Sequence, residues 1–155
     1  MEVQRITNCI LIHNGKILMI KKPRRGWHAI PGGKMEQGET VLEGAIREFK
    51  EETNLDLKNP KLQGVFSFLT YDDQQRLIHE WMMHTFVATN YEGTLTTHCK
   101  EGTLKWIPVE DILTVPMAEG DREIFKHVLT EEDILYGIFS YTRDEKLIQF
   151  RKSIL

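Results

Sequence analysis

Cysteine is scarce in this chain of 155 residues: Cys9 and Cys99 are the only two. Neither has a second cysteine nearby or the spacing of a zinc site, which excludes a disulfide scaffold and predicts free thiols in a reducing compartment. Long apolar runs are also missing. No segment approaches the ~18 apolar residues that a membrane span requires, and Met1 to Ile12 lacks the basic region and long apolar run of a signal peptide. A cytoplasmic protein with no membrane partner is expected. Linkers rich in Pro, Gly or Ser, repeats and low-complexity stretches are absent too, so one domain over residues 1–155 is expected. Positive charge is not in excess: 20 Lys and Arg face 23 Asp and Glu, a formal net charge of -3. That disfavours long nucleic acid as a partner, while leaving room for a local basic site.

What is present is the balance of a globular domain, with 41% hydrophobic and 28% charged residues. A domain of this length buries roughly 70% of the surface of its unfolded chain and needs no staple. Ile6 to Ile12 and Lys16 to Lys22 read as strands joined at Asn14-Gly15, a favoured hairpin dipeptide. Trp27 to Ile30 suggests a short strand, which Pro31-Gly32-Gly33 interrupts. Strands are expected over Leu62 to Tyr71, Leu77 to Ala88 and Leu104 to Ile107, and a closing hairpin over Leu135 to Tyr141 and Lys146 to Phe150. Gly120 to Leu129 carries apolar residues at helical spacing. The fold class is α/β (α+β), a mixed sheet covered on both faces by helices.

Thr40 to Thr53 is the strongest helix. Thr40 and Glu43 have the spacing of a capping box, and Val41, Leu42, Ala45, Ile46 and Phe49 form one apolar stripe. Asn54 stands where a residue tolerant of left-handed backbone angles is needed. Beside the apolar stripe runs an acidic one of Glu48, Glu51 and Glu52. Carboxylates packed at i, i+3 and i+4 repel, and hard Mg²⁺, which prefers carboxylate oxygens, removes that cost. A solvated acidic face is the other reading of the same three residues. The preceding Gly32-Gly33 lets backbone approach a ligand closely.

Gly33, Glu39 and the run Arg47-Glu48-Phe49-Lys50-Glu51-Glu52-Thr53-Asn54-Leu55 closely resemble the Nudix box, G-x5-E-x7-R-E-U-x-E-E-x-G-U. Phe49 takes an aliphatic position and Asn54 replaces the final Gly; every charged position is filled. The resemblance implies the Nudix fold, an α-β-α sandwich, and a hydrolase of nucleoside diphosphate derivatives using Mg²⁺, with Mn²⁺ able to substitute. It implies that Glu48, Glu51 and Glu52 bind metal, that the Gly32 carbonyl adds a ligand, and that Arg47 orients a glutamate while Glu39 supports. Lys100-Glu101-Gly102 before Trp106 resembles the MutT-like segment whose glutamate binds metal or acts as base, which assigns Glu101 to the catalytic set.

For substrate binding, Lys34 and Gly33 of the glycine loop and Lys22, with Lys21, Arg24 and Arg25, are candidates to contact phosphate, although basic residues of this kind are usually solvated. Trp27, His28, Phe66, Trp81, Phe86 and Met117 are candidate surfaces for a base, although aromatic residues in strands are usually core. His79 and His84 read as structural. Pro116 to Asp121 and the tail resemble the MutT-like branch that acts on oxidised purine nucleoside triphosphates such as 8-oxo-dGTP; Asp121 matches one of its base-reading aspartates. Gly120 and Ala118 stand where that branch has the second aspartate and a stacking tryptophan. The features of the NADH, coenzyme A and ADP-ribose branches are not seen. The expectation is a purine nucleoside triphosphate pyrophosphohydrolase, with guanosine alarmones and RNA 5′ triphosphate ends as competing substrates. A non-catalytic nucleotide-binding regulator is the reading from another class, and the filled box argues against it. Homodimers are common in the family, so the resemblance leaves a homodimer open.

Overall fold

The hairpin dipeptide fixes the first turn: Asn14 (φ 51°) and Gly15 (φ 73°) both take the positive angles of a tight two-residue connection. They join β1 (Gln4–His13) to β2 (Lys16–Lys21). In this computed structural model residues 2–153 are described. Met1, at the start of the stretch read for a signal, and Ile154 and Leu155, at the end of the expected domain, lie outside the described residues. β3 (His28–Ala29), β4 (Gly32–Lys34), α1 (Val41–Thr53), β5 (Leu55–Lys58), β6 (Lys61–Tyr71) and β7 (Leu77–Ala88) follow. Then come β8 (Asn90–Gly93), β9 (His98–Cys99), β10 (Gly102–Pro108), a 3-10 segment (Val109–Thr114), α2 (Glu119–Val128), β11 (Leu135–Thr142) and β12 (Leu147–Lys152).

The main sheet runs β12-β11-β6-β7-β1-β2-β10-β9, with β3 added to β2 and β4 to β1. Two pairings, β1 with β7 and β6 with β11, are parallel and the rest antiparallel, so the sheet is mixed as expected. β5 and β8 form a separate pair.

Successive side chains of a strand point to opposite faces. Cys9, Leu11, Leu18 and Ile20 pack in one cluster with Ala45 and Phe49 of α1. Ile10, Ile17 and Met19 pack in the other with Ile124 and Phe125 of α2. Both layers of the sandwich therefore grow from the unbroken apolar runs of β1 and β2, which are covered on both sides. Burial pushes the Cys9 thiol well above the usual range, and both cysteines are free. Among the described residues no helix is long and apolar enough to cross a membrane.

Helix α1 is held at both ends. Glu43 N–H donates to Thr40 Oγ1 (3.1 Å), and Thr40 N–H donates to Glu43 Oε1 (2.8 Å), completing the capping box. At the other end Asn54 (φ 67°) turns the chain out of the helix, its N–H bonded to the Lys50 carbonyl. Fully buried Phe49 contributes roughly 1.5–3 kcal/mol of apolar burial and fixes the rotation of the helix.

One local expectation changes, and two short strands are added. Pro31-Gly32-Gly33 does not simply end the preceding strand; Gly32 to Lys34 form β4, with Thr7 opposite Gly33 and Asn8 opposite Gly32. β5 and β8, four residues each, are too short to show a period in the sequence.

Candidate active site

The glycines of β4 are required by crowding, not by unusual backbone angles. A Cβ on Gly32 would collide with the Thr7 carbonyl and lie 2.5 Å from Asn8 Cβ. A Cβ on Gly33 would lie 2.5 Å from Glu48 Oε2. Bare backbone thus lies between β1 and the acidic edge of α1. Gly32 N–H donates to Glu52 Oε1 at 2.7 Å, so the amide, rather than the carbonyl expected to bind metal, is the part of Gly32 seen to touch a carboxylate.

Arg47 is the hub of the acidic edge. Its Nε and Nη2 donate to Glu39 Oε2 (2.6 Å) and Oε1 (3.0 Å), a two-pronged bond. Nη2 also donates to the Lys34 carbonyl (3.1 Å), and Nη1 to Glu48 Oε1 (3.0 Å) and the Glu51 carboxylate (3.3 Å). The hydrogen bonds from Arg47, helped by the Glu36 backbone, hold the Glu39 carboxyl down at about 2. Arg47 is raised in turn, chiefly by Glu39. A lysine cannot reproduce this fork. Arg47→Lys is therefore expected to stay folded, by circular dichroism, and to lose turnover roughly ten- to a hundredfold, as when a group that orients metal ligands is lost. Wild-type kcat/KM in that variant would remove Arg47 from its positioning role.

Glu52 is 9% exposed. Burial, foremost, and repulsion from Glu48 and Glu101 push its carboxyl up to about 7, against the Gly32 amide and Lys22, which favour the charged form. Glu101 sits on the β9–β10 turn, 3.7 Å from Lys22 Nζ. Three carboxylates from α1 and β10's approach thus press on one another. Among the described residues no three His, Cys, Asp or Glu side chains converge closely enough to hold an ion as they stand; Glu48 and Glu51 are turned onto Arg47. The donor set still fits a hard divalent cation, because mutual repulsion among oxygen ligands is what such an ion relieves.

A cleft of about 580 Å³ opens beside this edge, and Gly32, Gly33 and Lys22 belong to its lining. Its walls include Trp27, Phe68 and Trp81, and Asp121 lies within it, where burial pushes the carboxyl up to about 6. Arg24, Arg25 and Arg143 line it too; Arg25 donates to Glu145 (2.8 Å) and its guanidinium lies 4.9 Å over the Trp27 ring. His28 lines the cleft but is buried, its backbone N–H donating to the Pro116 carbonyl (2.7 Å). Trp81 Nε1–H donates to His79 Nε2, which gives that histidine a partner.

Several expected substrate contacts are placed elsewhere. Phe66 is 1% exposed in the core, and Phe68, one pleat repeat along the same face toward the open end of β6, takes the place at the cleft. Met117 and Phe86 are likewise core residues, and Ala118 reaches the cleft instead. Lys34 is exposed and engages the site through its carbonyl; its side chain does not line the cleft. Asn8, Thr70, Met83 and Tyr141 line the cleft without having been singled out. Only Asn8 carries a signal, an amide set directly before the apolar run Cys9 to Ile12. Gly120 is explained locally: its N–H donates to Tyr141 Oη (2.7 Å), and any Cβ there would collide with that hydroxyl. An aspartate at position 120 has no room, so Asp121 is the acid that remains at the cleft.

Comparison with known proteins agrees with this geometry. Residues 3–128 match the NUDIX domain family. The chain is 45% identical over 149 residues, 96% of its length and 94% of the relative's, to an uncharacterized Nudix hydrolase, YvcI, of Bacillus subtilis (strain 168). It superposes on a crystal structure described as a mutator MutT protein from Bacillus halodurans with a TM-score of 0.94 and 46% identity, covering 97% of this chain and 98% of that one. It is 23% identical over 155 residues, 97% of this chain and 95% of the other, to the oxidized purine nucleoside triphosphate hydrolase of Mus musculus.

Proposed function

This chain belongs to the Nudix hydrolase family, whose members use divalent metal ions on small nucleotide substrates, and from that premise we propose that it is a Mg²⁺-dependent pyrophosphohydrolase of purine nucleoside triphosphates. One observation carries the reading. A carboxylate cluster, Glu48, Glu52 and Glu101, stands beside a single cleft whose walls offer Trp27, Phe68 and Trp81 to a flat base. Glu48, Glu51, Glu52 and Glu101 would hold Mg²⁺, or Mn²⁺ in its place, which would supply charge neutralisation at phosphate and activation of water. The protein's own groups do the positioning. Arg47 holds Glu48 and Glu51 in place, while the Gly32 amide holds Glu52. Lys22, at 3.7 Å from Glu101, is the cation of the cleft nearest the carboxylates and meets substrate phosphate. Glu101, on an exposed turn, is assigned in this reading either to the metal or to the proton of the entering water.

The base is proposed to be a purine, normal or oxidised. The distant mouse relative and Asp121 support it, and Gly120 narrows the reading to one acidic side chain. The deciding experiment incubates the protein with Mg²⁺ and a panel of normal and oxidised nucleoside triphosphates, guanosine alarmones and triphosphorylated RNA. Nucleoside monophosphate and pyrophosphate are expected from the triphosphates. Absence of those products across the triphosphates would refute the proposal.

A pH dependence follows from Glu52 in the metal-free protein. Its carboxyl holds a proton up to about 7 when folded, against 4.5 in the reference chain. Between those values the folded state binds more protons, so stability falls as pH rises through this window, by about 3 kcal/mol. Glu52→Gln lacks the effect. Without metal, the variant is expected to melt roughly 10 °C above wild type at pH 8 and near it at pH 4.5. Mg²⁺ at pH 8 is expected to raise only the wild-type midpoint. A pH-independent gap between the two proteins would contradict the raised Glu52 carboxyl, which burial and its acidic neighbours cause.

A further inference from the structure

Strand β11 alternates strictly between buried and accessible residues, and β6 does so from Gly64 to Ser67. Phe66, Phe68, Met83 and Phe139 point inward and belong to the cluster beneath α2. The residues between them point to the other face: Val65 and Leu69 of β6, Met82 of β7, Tyr136 and Ile138 of β11. None of these five packs in either core cluster. Four are half-buried, and Tyr136 is 38% exposed. Ser67 Oγ donates to Met82 Sδ (3.2 Å) across the same face. The helix on that side, α1, packs chiefly on β1, β4, β5 and β9, to one side of this half of the sheet. An apolar sheet face of this kind is a docking surface. Two charges flank it, Glu80 on β7 and Arg151 on β12. Neither has an ion-pair partner among the described residues.

We propose that this face docks on the same face of a second copy of the chain, about a two-fold axis running along the strands between β6 and β11. The charges select that arrangement. Glu80 lies level with Leu69, Ser140 and Gln149 across the four strands. Arg151 lies level with Ile138, Ser67 and Met82, one pleat repeat of about 7 Å along. The axis exchanges β7 with β12 and β6 with β11, so Glu80 of each copy comes over Gln149 of the other, within reach of Arg151 beside it. Symmetry makes two such pairs. Val65, Leu69 and Ile138 then fill the middle, an apolar centre with a charged rim. Of the other basic groups on this side, Arg5 belongs to β1, outside the four strands, and His84 comes over Ser153. A two-fold axis across the strands instead sets β12 on β12 and brings Arg151 close to its own copy, which like charge opposes.

The test is the mass in solution, by sedimentation velocity on the intact chain at low ionic strength, over a dilution series from about 100 μM. Wild type is compared with Glu80→Arg, with Arg151→Glu and with the chain carrying both reversals. Circular dichroism checks that each is folded. Wild type is expected to form a dimer. Each single reversal is expected to weaken it about tenfold, because two attractive pairs become repulsive, and the double reversal to restore it to within about threefold. A monomeric wild type would leave the face to a different partner and overturn the proposal. So would single reversals that leave the dimer as tight as before, or a double reversal as weak as the singles. Neither Glu80 nor Arg151 lines the cleft, so the outcome is read separately from that of the nucleotide panel.

Discussion

Glu52→Gln is expected to lower kcat with Mg²⁺ by about a thousandfold while leaving the fold intact. The fold should survive because the glutamine oxygen can still accept the Gly32 amide that Glu52 Oε1 now accepts at 2.7 Å. Removing the charge also removes the repulsion that Glu48 and Glu101 exert on this side chain. A stable but inactive protein is the outcome that separates chemistry from structure. The measurements are kcat by released pyrophosphate and affinity for Mg²⁺ by calorimetry, and both should fall together. Turnover within a factor of three of wild type would place the reaction's metal-binding carboxylates elsewhere.

Gly33→Ala should give the second largest loss, about a hundredfold in kcat/KM, through one methyl group. Its Cβ would stand 2.5 Å from Glu48 Oε2 and 2.7 Å from Glu48 Cδ. What gives way is the end of a side chain, so the thermal midpoint should move by only a few degrees. The displaced carboxylate would lose its 3.0 Å bond to Arg47. Gly32→Ala provides the contrast. There the obstacles are the Thr7 carbonyl and Asn8 Cα at 2.6 Å, which cannot swing aside. Overpacking against backbone should cost about 3 kcal/mol, or roughly 10 °C. If Gly33→Ala keeps full activity, Glu48 does not need the place it occupies. If both variants melt alike, the two glycines do not have separate roles.

Much of this arrangement was readable from the residues alone, for identifiable reasons. Helix α1 announced both ends, because Thr40, Glu43 and Asn54 act through local backbone bonds, and a few neighbouring residues decide those. The carboxylate edge followed from helical spacing. β7 was bounded correctly by its run of Trp, Met, Phe and Val. Substrate contacts were less legible because parity along a strand says which face a residue is on, not how deep it lies. Phe66 and Phe68 share a face, and only the position of the surrounding elements leaves the first in the core and the second at the cleft. β4 was hidden for a different reason: a glycine pair reads as a turn until its partner strand is known. The charge of Lys34 points to phosphate, whereas in the fold its carbonyl accepts from Arg47.

The pairing of Asn8 with Gly32 has a geometric consequence. Asn8, in the cleft wall, and Gly32, whose amide steadies the Glu52 carboxylate, are opposed residues of a single ladder rung. Their separation is therefore set by covalent geometry and strand spacing, as the marks on a rule are. Slipping β4 by one residue would turn its residues to the opposite face and carry the Gly32 amide away from Glu52. Lengthening the connection between β6 and β7, at the far end of those strands, leaves this interval untouched.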